Sequence, residues 1–168
     1  MHVRYNGSMK QDGLRTKIFL DSWDPEETKQ FIELVGWLDG QTTNPSLIAG
    51  SPQAKARLSR GEKFSEDEVY EYYKEVVRKI SALIPHGSVS IEVYGDAGTS
   101  ADDMFAQGKR MFSWIPNAHI KYPTTEAGLE AAQRSIAEGM RVNMTLVFSQ
   151  EQAAAVHVAT KGANKGDV

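Results

Sequence analysis

Five times along this chain a short apolar, strand-like run hands over to a helical segment, and nowhere does a two-residue hairpin signal join two such runs. A strand followed by a helix before the next strand pairs in parallel, because the crossover returns the chain to the same end of the sheet. Repetition of that unit restricts the fold to an α/β architecture with a parallel sheet, either doubly wound or a closed barrel. The strand signals fall at Lys17 to Asp21, Trp37 to Thr43, Val89 to Tyr94, Ala118 to Pro123 and Val142 to Phe148. Helix starts are marked by Asp24-Pro25-Glu26-Glu27 and by two capping boxes, Ser65 with Glu68 and Ser149 with Gln152. Phe31, Ile32, Leu34, Val35 and Leu38 predict one apolar stripe on the first helix. Residues 51 to 61 read as a polar connection, and residues 1 to 15 as an irregular leader, which leaves 16 to 168 for the folded body.

Two features favour the barrel. No strand-to-helix junction carries a G-x-G-x-x-G dinucleotide loop. Polar residues also stand at the C-terminal ends of successive strands, Asp21, Asn44, Glu92, Lys121 and Thr145, where barrel enzymes place their chemistry. A closed barrel of this type takes eight strands and about 200 residues or more. Five units in 168 residues predict an incomplete (β/α)8 barrel, with Lys165 to Val168 where a sixth strand would begin. That length suits one domain with a real core. The net charge of -3 and the lack of a basic cluster argue against a nucleic-acid partner, and zero cysteines exclude disulfides and thiolate chemistry. No apolar run is long enough to span a membrane and no signal-peptide segment is visible, so a cytoplasmic location is expected.

The most informative strand is Ala118-His119-Ile120-Lys121-Tyr122-Pro123. Ala118, Ile120 and Tyr122 point one way, His119 and Lys121 the other. A lysine in mid-strand is either exposed or used. Covered on both faces, its amine is desolvated, its pKa falls, and the neutral form attacks carbonyl carbon. On an edge strand it snorkels to water instead. Each other rim residue also has a plain structural reading: Asp21 as a helix cap, Asn44 as a turn residue before Pro45, Glu92 as a half-exposed carboxylate, Thr145 as an ordinary strand residue. Their convergence on one rim is what those separate readings leave unexplained. His2, His86, His119 and His157 lack metal-ligand spacing, Asp102-Asp103 reads as first-turn negative charge, and Ser90 has no recognisable histidine partner.

Gly40-Gln41-Thr42-Thr43-Asn44-Pro45-Ser46-Leu47-Ile48 resembles the first transaldolase signature. Ile120-Lys121-Tyr122-Pro123-Thr124-Thr125, followed by Glu126-Ala127-Gly128-Leu129, resembles the second, which holds the Schiff-base lysine. Phe19-Leu20-Asp21, Ser90 to Val93 and Val142 to Ser149 fall where that family has its other active-site strands, and the match runs from about Lys17 to the end. Gln41 departs from the usual small or aliphatic residue, and Tyr122 replaces a commoner aliphatic. The resemblance implies a class I aldolase-type barrel that moves a dihydroxyacetone unit between sugar phosphates of the pentose phosphate pathway. It needs no cofactor or metal. Lys121 would form the imine, Asp21 would take the C4 hydroxyl proton, and Glu92, through a water held by Thr145, would shuttle protons. Thr42, Asn44 and Asn143 would hold substrate hydroxyls. The family's sixth-strand Ser-Pro-Phe motif and phosphate-binding arginine lie beyond these residues, so the chain alone is expected to be nearly inactive and to self-associate, the full-length form being a homo-oligomer. A fructose-6-phosphate aldolase-like lyase is the nearest alternative, although those relatives carry glutamine where Glu92 stands; a non-catalytic sugar-phosphate-binding remnant is another.

Overall fold

A computed structural model of the chain describes residues 14–168; the leader expected over 1 to 15 lies almost wholly outside the described residues. The elements run β1 (Phe19–Asp21), α1 (Pro25–Val35), β2 (Gly40–Thr42), α2 (Pro45–Ala49), α3 (Pro52–Ser59), α4 (Glu66–Leu83), β3 (Ser88–Glu92), α5 (Ala101–Phe112), β4 (Ala118–Pro123), α6 (Glu126–Ala137), β5 (Val142–Thr145) and α7 (Gln150–Ala159). The strands form one parallel sheet whose spatial order is their sequence order, β1-β2-β3-β4-β5. A doubly wound sheet reverses direction at a switch point. This one does not: it is a partial barrel of the (β/α)8 type, with strands side by side in the order they are made.

The predicted caps form. Asp24 accepts from the Glu26 N–H, and both capping boxes, Ser65 with Glu68 and Ser149 with Gln152, close in both directions. Three sequence expectations are corrected. The stretch 51 to 61 is not merely a polar connection, because Ser51 Oγ accepts the Ala54 N–H at 3.2 Å and starts α3 behind Pro52. The strands other than β4 are shorter than expected: β2 starts only at Gly40 and β3 ends at Glu92. β1 loses Lys17 and Ile18, since the Ile18 N–H donates to the Asp39 carboxylate at 2.8 Å, and β5 ends at Thr145, since Leu146 takes φ 62. Leu34, assigned to the apolar stripe of α1, is 85% exposed, while Thr28 on the same helix is buried.

The main core lies between the sheet and the helices. Val77 and Ile80 of α4, Val89 and Ile91 of β3, Ile120 and Tyr122 of β4, Ala131 and Ala132 of α6 and Val142 of β5 are all sealed there. The opposite, inner face is polar and concave. Thr42, Ser90, His119 and Asn143 line a hollow of about 360 Å³ there, with Phe19 at its edge. Residues 166 to 168 run beside the start of β5, where the Val142 N–H donates to Asp167 O at 2.8 Å.

Tyr122 shows how tightly the outer layer fits. Its hydroxyl reaches Ser135 Oγ at 2.8 Å, and the ring passes over Gly108 of α5, where an added Cβ would lie 1.9 Å from the phenolic oxygen. Gly108→Ala is therefore expected to cost about 1–3 kcal/mol through overpacking. In a Tyr122→Leu background a large part of that cost should vanish, as read from urea unfolding of the four members of the cycle. Equal costs in the two backgrounds would show that the close approach is not what constrains this site.

Candidate active site

Parallel register sets the site before any side chain is considered. Glu92 of β3 stands beside Lys121 of β4, and Lys121 beside Asn143 of β5. One row lower, Thr42 stands beside Asp21 and Ser90. Residues in register on one face have their Cβ atoms about 5 Å apart, so their polar ends meet. Lys121 Nζ lies 3.1 Å from Glu92 Oε2, and the two side chains are only 11% and 18% exposed. β4 is an interior strand paired on both sides, and the lysine side chain is sheltered beside Glu92; the snorkelling, edge-strand reading does not hold. Thr42 Oγ1 donates to Asp21 Oδ1 at 2.7 Å, and Asn143 Nδ2 donates to Ser90 Oγ at 3.0 Å.

Two of the predicted site residues are placed differently from the rest. Asn44 turns its Oδ1 to the Leu47 N–H at 2.8 Å and caps α2, the turn-residue role that Pro45 after it favours. Thr145 registers with Pro123, one step above Lys121, and its backbone carbonyl receives both the N–H and the hydroxyl of Thr124. Lys121, Glu92, Asn143, Asp21 and Thr42 form the continuous inner patch. Sequence reasoning missed Ser90, which is fully buried and holds Asn143. Its position two residues before Glu92, on the same strand face, was the available signal.

The electrostatics are set by shelter from water. Burial pushes the Glu92 carboxyl above the ordinary glutamate range; the Lys121 ammonium pulls it back without cancelling the effect, and the negative Asp21 adds a smaller upward push. Glu92 is thereby a carboxyl that exchanges its proton nearer to neutral pH than a surface glutamate does. Among the described residues no three His, Asp or Glu side chains gather where they could hold a metal ion.

Against this geometry, a family model described as Transaldolase/Fructose-6-phosphate aldolase matches residues 18–165. The chain belongs to the transaldolase/fructose-6-phosphate aldolase family. It is 38% identical over 137 residues to a "Probable transaldolase" of Thermus thermophilus, covering 82% of this chain and 55% of that protein. A "Probable transaldolase" of Dehalococcoides mccartyi is likewise 38% identical over 137 residues, with 82% of this chain and 54% of the relative covered. A "Probable transaldolase 2" of Listeria monocytogenes is 36% identical over 138 residues, with 81% and 52% covered. The chain thus spans about half the length of the curated transaldolase-family relatives it matches.

At the foot of the same hollow, His119 is held neutral. Burial lowers its pKa from 6.5, and the nearby Arg141 adds to that, while contacts with the Gly166 and Asn117 backbones and the Asp167 charge oppose it. The unfolded imidazole binds a proton near 6.5, which the folded one resists. The sign follows: this contribution to stability is present above pH 6.5 and is lost as pH falls through the lower, folded value. His119→Asn is expected to flatten the fall in Tm between pH 7 and more acid solution, in a series of thermal melts. An acid branch as steep as that of the parent chain would contradict a half-buried, neutral His119.

Proposed function

We propose that this chain carries the imine-forming centre of a transaldolase, transferring a dihydroxyacetone unit from a ketose phosphate such as sedoheptulose 7-phosphate or fructose 6-phosphate to an aldose phosphate. The observation that carries the reading is the sheltered pair itself: Lys121 Nζ at 3.1 Å from Glu92, on the inner face of the sheet one row above Thr42 and Ser90, which line the hollow. A carboxylate at that distance can accept the ammonium proton and free the lone pair. The amine adds to the C2 carbonyl, and the carbinolamine loses water, protonated by Glu92, to give an iminium ion. Cleavage of C3–C4 then sends its electron pair into the iminium, and Asp21 takes the C4 hydroxyl proton as the aldehyde leaves. The resulting enamine adds to the carbonyl carbon of the acceptor aldose, Asp21 returns the proton to the new alkoxide, and water releases the product ketose.

Thr42 holds Asp21 in place by its 2.7 Å hydrogen bond, and Asn143 presents its amide beside Lys121. Asn44 and Thr145 frame the rim, the one meeting substrate hydroxyls and the other holding the water that Glu92 uses. The reaction is written without a cofactor because the iminium is itself the electron sink. Operation in the pentose phosphate pathway, in the cytoplasm and as a homo-oligomer belongs to the same proposal.

The family's name also covers the lyase reading, in which free dihydroxyacetone is released. Glu92, where the lyases carry glutamine, favours transfer. Dihydroxyacetone has no phosphate and so tests the imine step without phosphate contacts. With borohydride present, it is expected to leave a reduced three-carbon adduct on the Lys121 peptide by mass spectrometry, and none at that position in Lys121→Met. Labelling spread evenly over surface lysines would sink the assignment. With fructose 6-phosphate, product that depends on an added aldose acceptor marks a transaldolase, and acceptor-independent dihydroxyacetone marks the lyase.

A further inference from the structure

We propose that Tyr73 is a positioning residue for Glu92, acting through a one-way hydrogen-bond relay that takes over from the sheet where β2 and β3 part. The inference rests on the imine-forming reading above. β2 registers with β3 only as far as Thr42 opposite Ser90. Beyond that point the chain turns through Thr43 and Asn44 into α2, while β3 runs on to Glu92. The Glu92 N–H donates at 3.0 Å to the hydroxyl of Tyr73, which reaches in from α4.

The direction of every proton in the relay is determined. Tyr73 Oη and Thr43 Oγ1 are 2.7 Å apart, and Thr43 Oγ1 donates to the Ser90 carbonyl at 2.8 Å. A hydroxyl has one hydrogen, and Thr43 gives it to a carbonyl that has none to offer. Tyr73 must therefore donate to Thr43, leaving its own lone pair for Glu92. The path runs from Glu92 N–H to Tyr73 to Thr43 to Ser90 C=O, and returns to β3 two residues from where it began. It needs a neutral phenol, and full burial keeps the Tyr73 pKa far above its usual value.

Tyr73 is 3% exposed, and the edge of Trp114 meets it at 5.9 Å and 70°. The relay spans the two β3 residues on which the site hangs: Ser90, whose side chain holds Asn143, and Glu92, whose carboxylate meets Lys121. Without the phenol, the Glu92 N–H becomes a sheltered donor with no acceptor, and the strand end is free to tilt toward water. A purely structural tyrosine would lower stability whatever stood at position 92. A positioning tyrosine acts through the Glu92 carboxylate.

The test uses the 168-residue chain with dihydroxyacetone and borohydride, reading the rate of Lys121 labelling in the parent, Tyr73→Phe, Glu92→Gln and the double variant. Tyr73→Phe is expected to slow labelling about tenfold, the effect of one unsatisfied buried donor. The double variant should be no slower than Glu92→Gln alone. Thr43→Val keeps the phenol but removes the acceptor that orients it, and should slow labelling less than Tyr73→Phe does, with Thr43→Ser recovering most of the lost rate. Labelling of Tyr73→Phe at the parent rate, or an equal slowing with and without the Glu92 carboxylate, would overturn the proposal. If the parent itself forms no adduct, it is the imine reading that fails, and amide hydrogen exchange then judges the relay alone. Exchange at Glu92 about tenfold faster in Tyr73→Phe, with Ile91 unchanged, supports it; unchanged exchange at Glu92 in that variant refutes it.

Discussion

A lysine and a glutamate held 3.1 Å apart, both largely out of water, are the constraint around which this molecule is arranged. Such a pair is a poor source of stability, because desolvating two charges consumes most of what their attraction returns. Well-packed apolar residues in their place would serve the sheet at least as well. What the pair does supply is proton exchange beside a sheltered amine, which apolar residues cannot. The register of a parallel sheet makes this dependable: Glu92 and Lys121 are partners on adjacent strands, so no loop has to close to bring them together. Asn143 and Ser90 extend the same row-by-row logic to β5 and β3.

The two residues that depart from the family's usual pattern are each answered by a neighbour. Gln41, fully buried, accepts the Thr28 hydroxyl at 2.7 Å and donates to the Ser22 carbonyl at 2.8 Å. A buried amide placed where an aliphatic is usual would be costly alone. Here it ties α1 to the end of β1, and it explains why Thr28 takes the buried place on that helix. Tyr122, likewise, has Gly108 to make room for its ring and Ser135 to meet its hydroxyl. Both residues lie on the helix side of the sheet, away from the polar row on its inner face.

This division explains what was legible in the sequence. Strand order, parallel pairing and the polar rim follow from period-two alternation and the repeated capped helices, and those signals are local. Lys121 and Glu92 stood out because charged residues interrupt apolar strands. Leu34 misled, since i, i+3 and i+4 spacing cannot say which of two adjacent apolar positions faces the core. α3 was hidden because Ser51-Pro52 signals a turn and a helix start equally well. Asn44 reads as a site residue from its motif, yet its oxygen is engaged in capping α2. Tyr73 was illegible for a different reason: its partner Glu92 lies 19 residues away, and no local pattern encodes such a pairing.

The whole account depends on Glu92 being sheltered and in contact with the Lys121 ammonium. Titration of the Glu92 side-chain carboxyl by carbon-13 NMR tests that most directly. The account predicts a pKa above the ordinary 4.5, and a further rise in Lys121→Met, because burial raises it and the ammonium is what holds it down. A carboxyl that titrates at 4.5 and does not respond to loss of Lys121 would contradict it, for then the two groups would be meeting water and not each other.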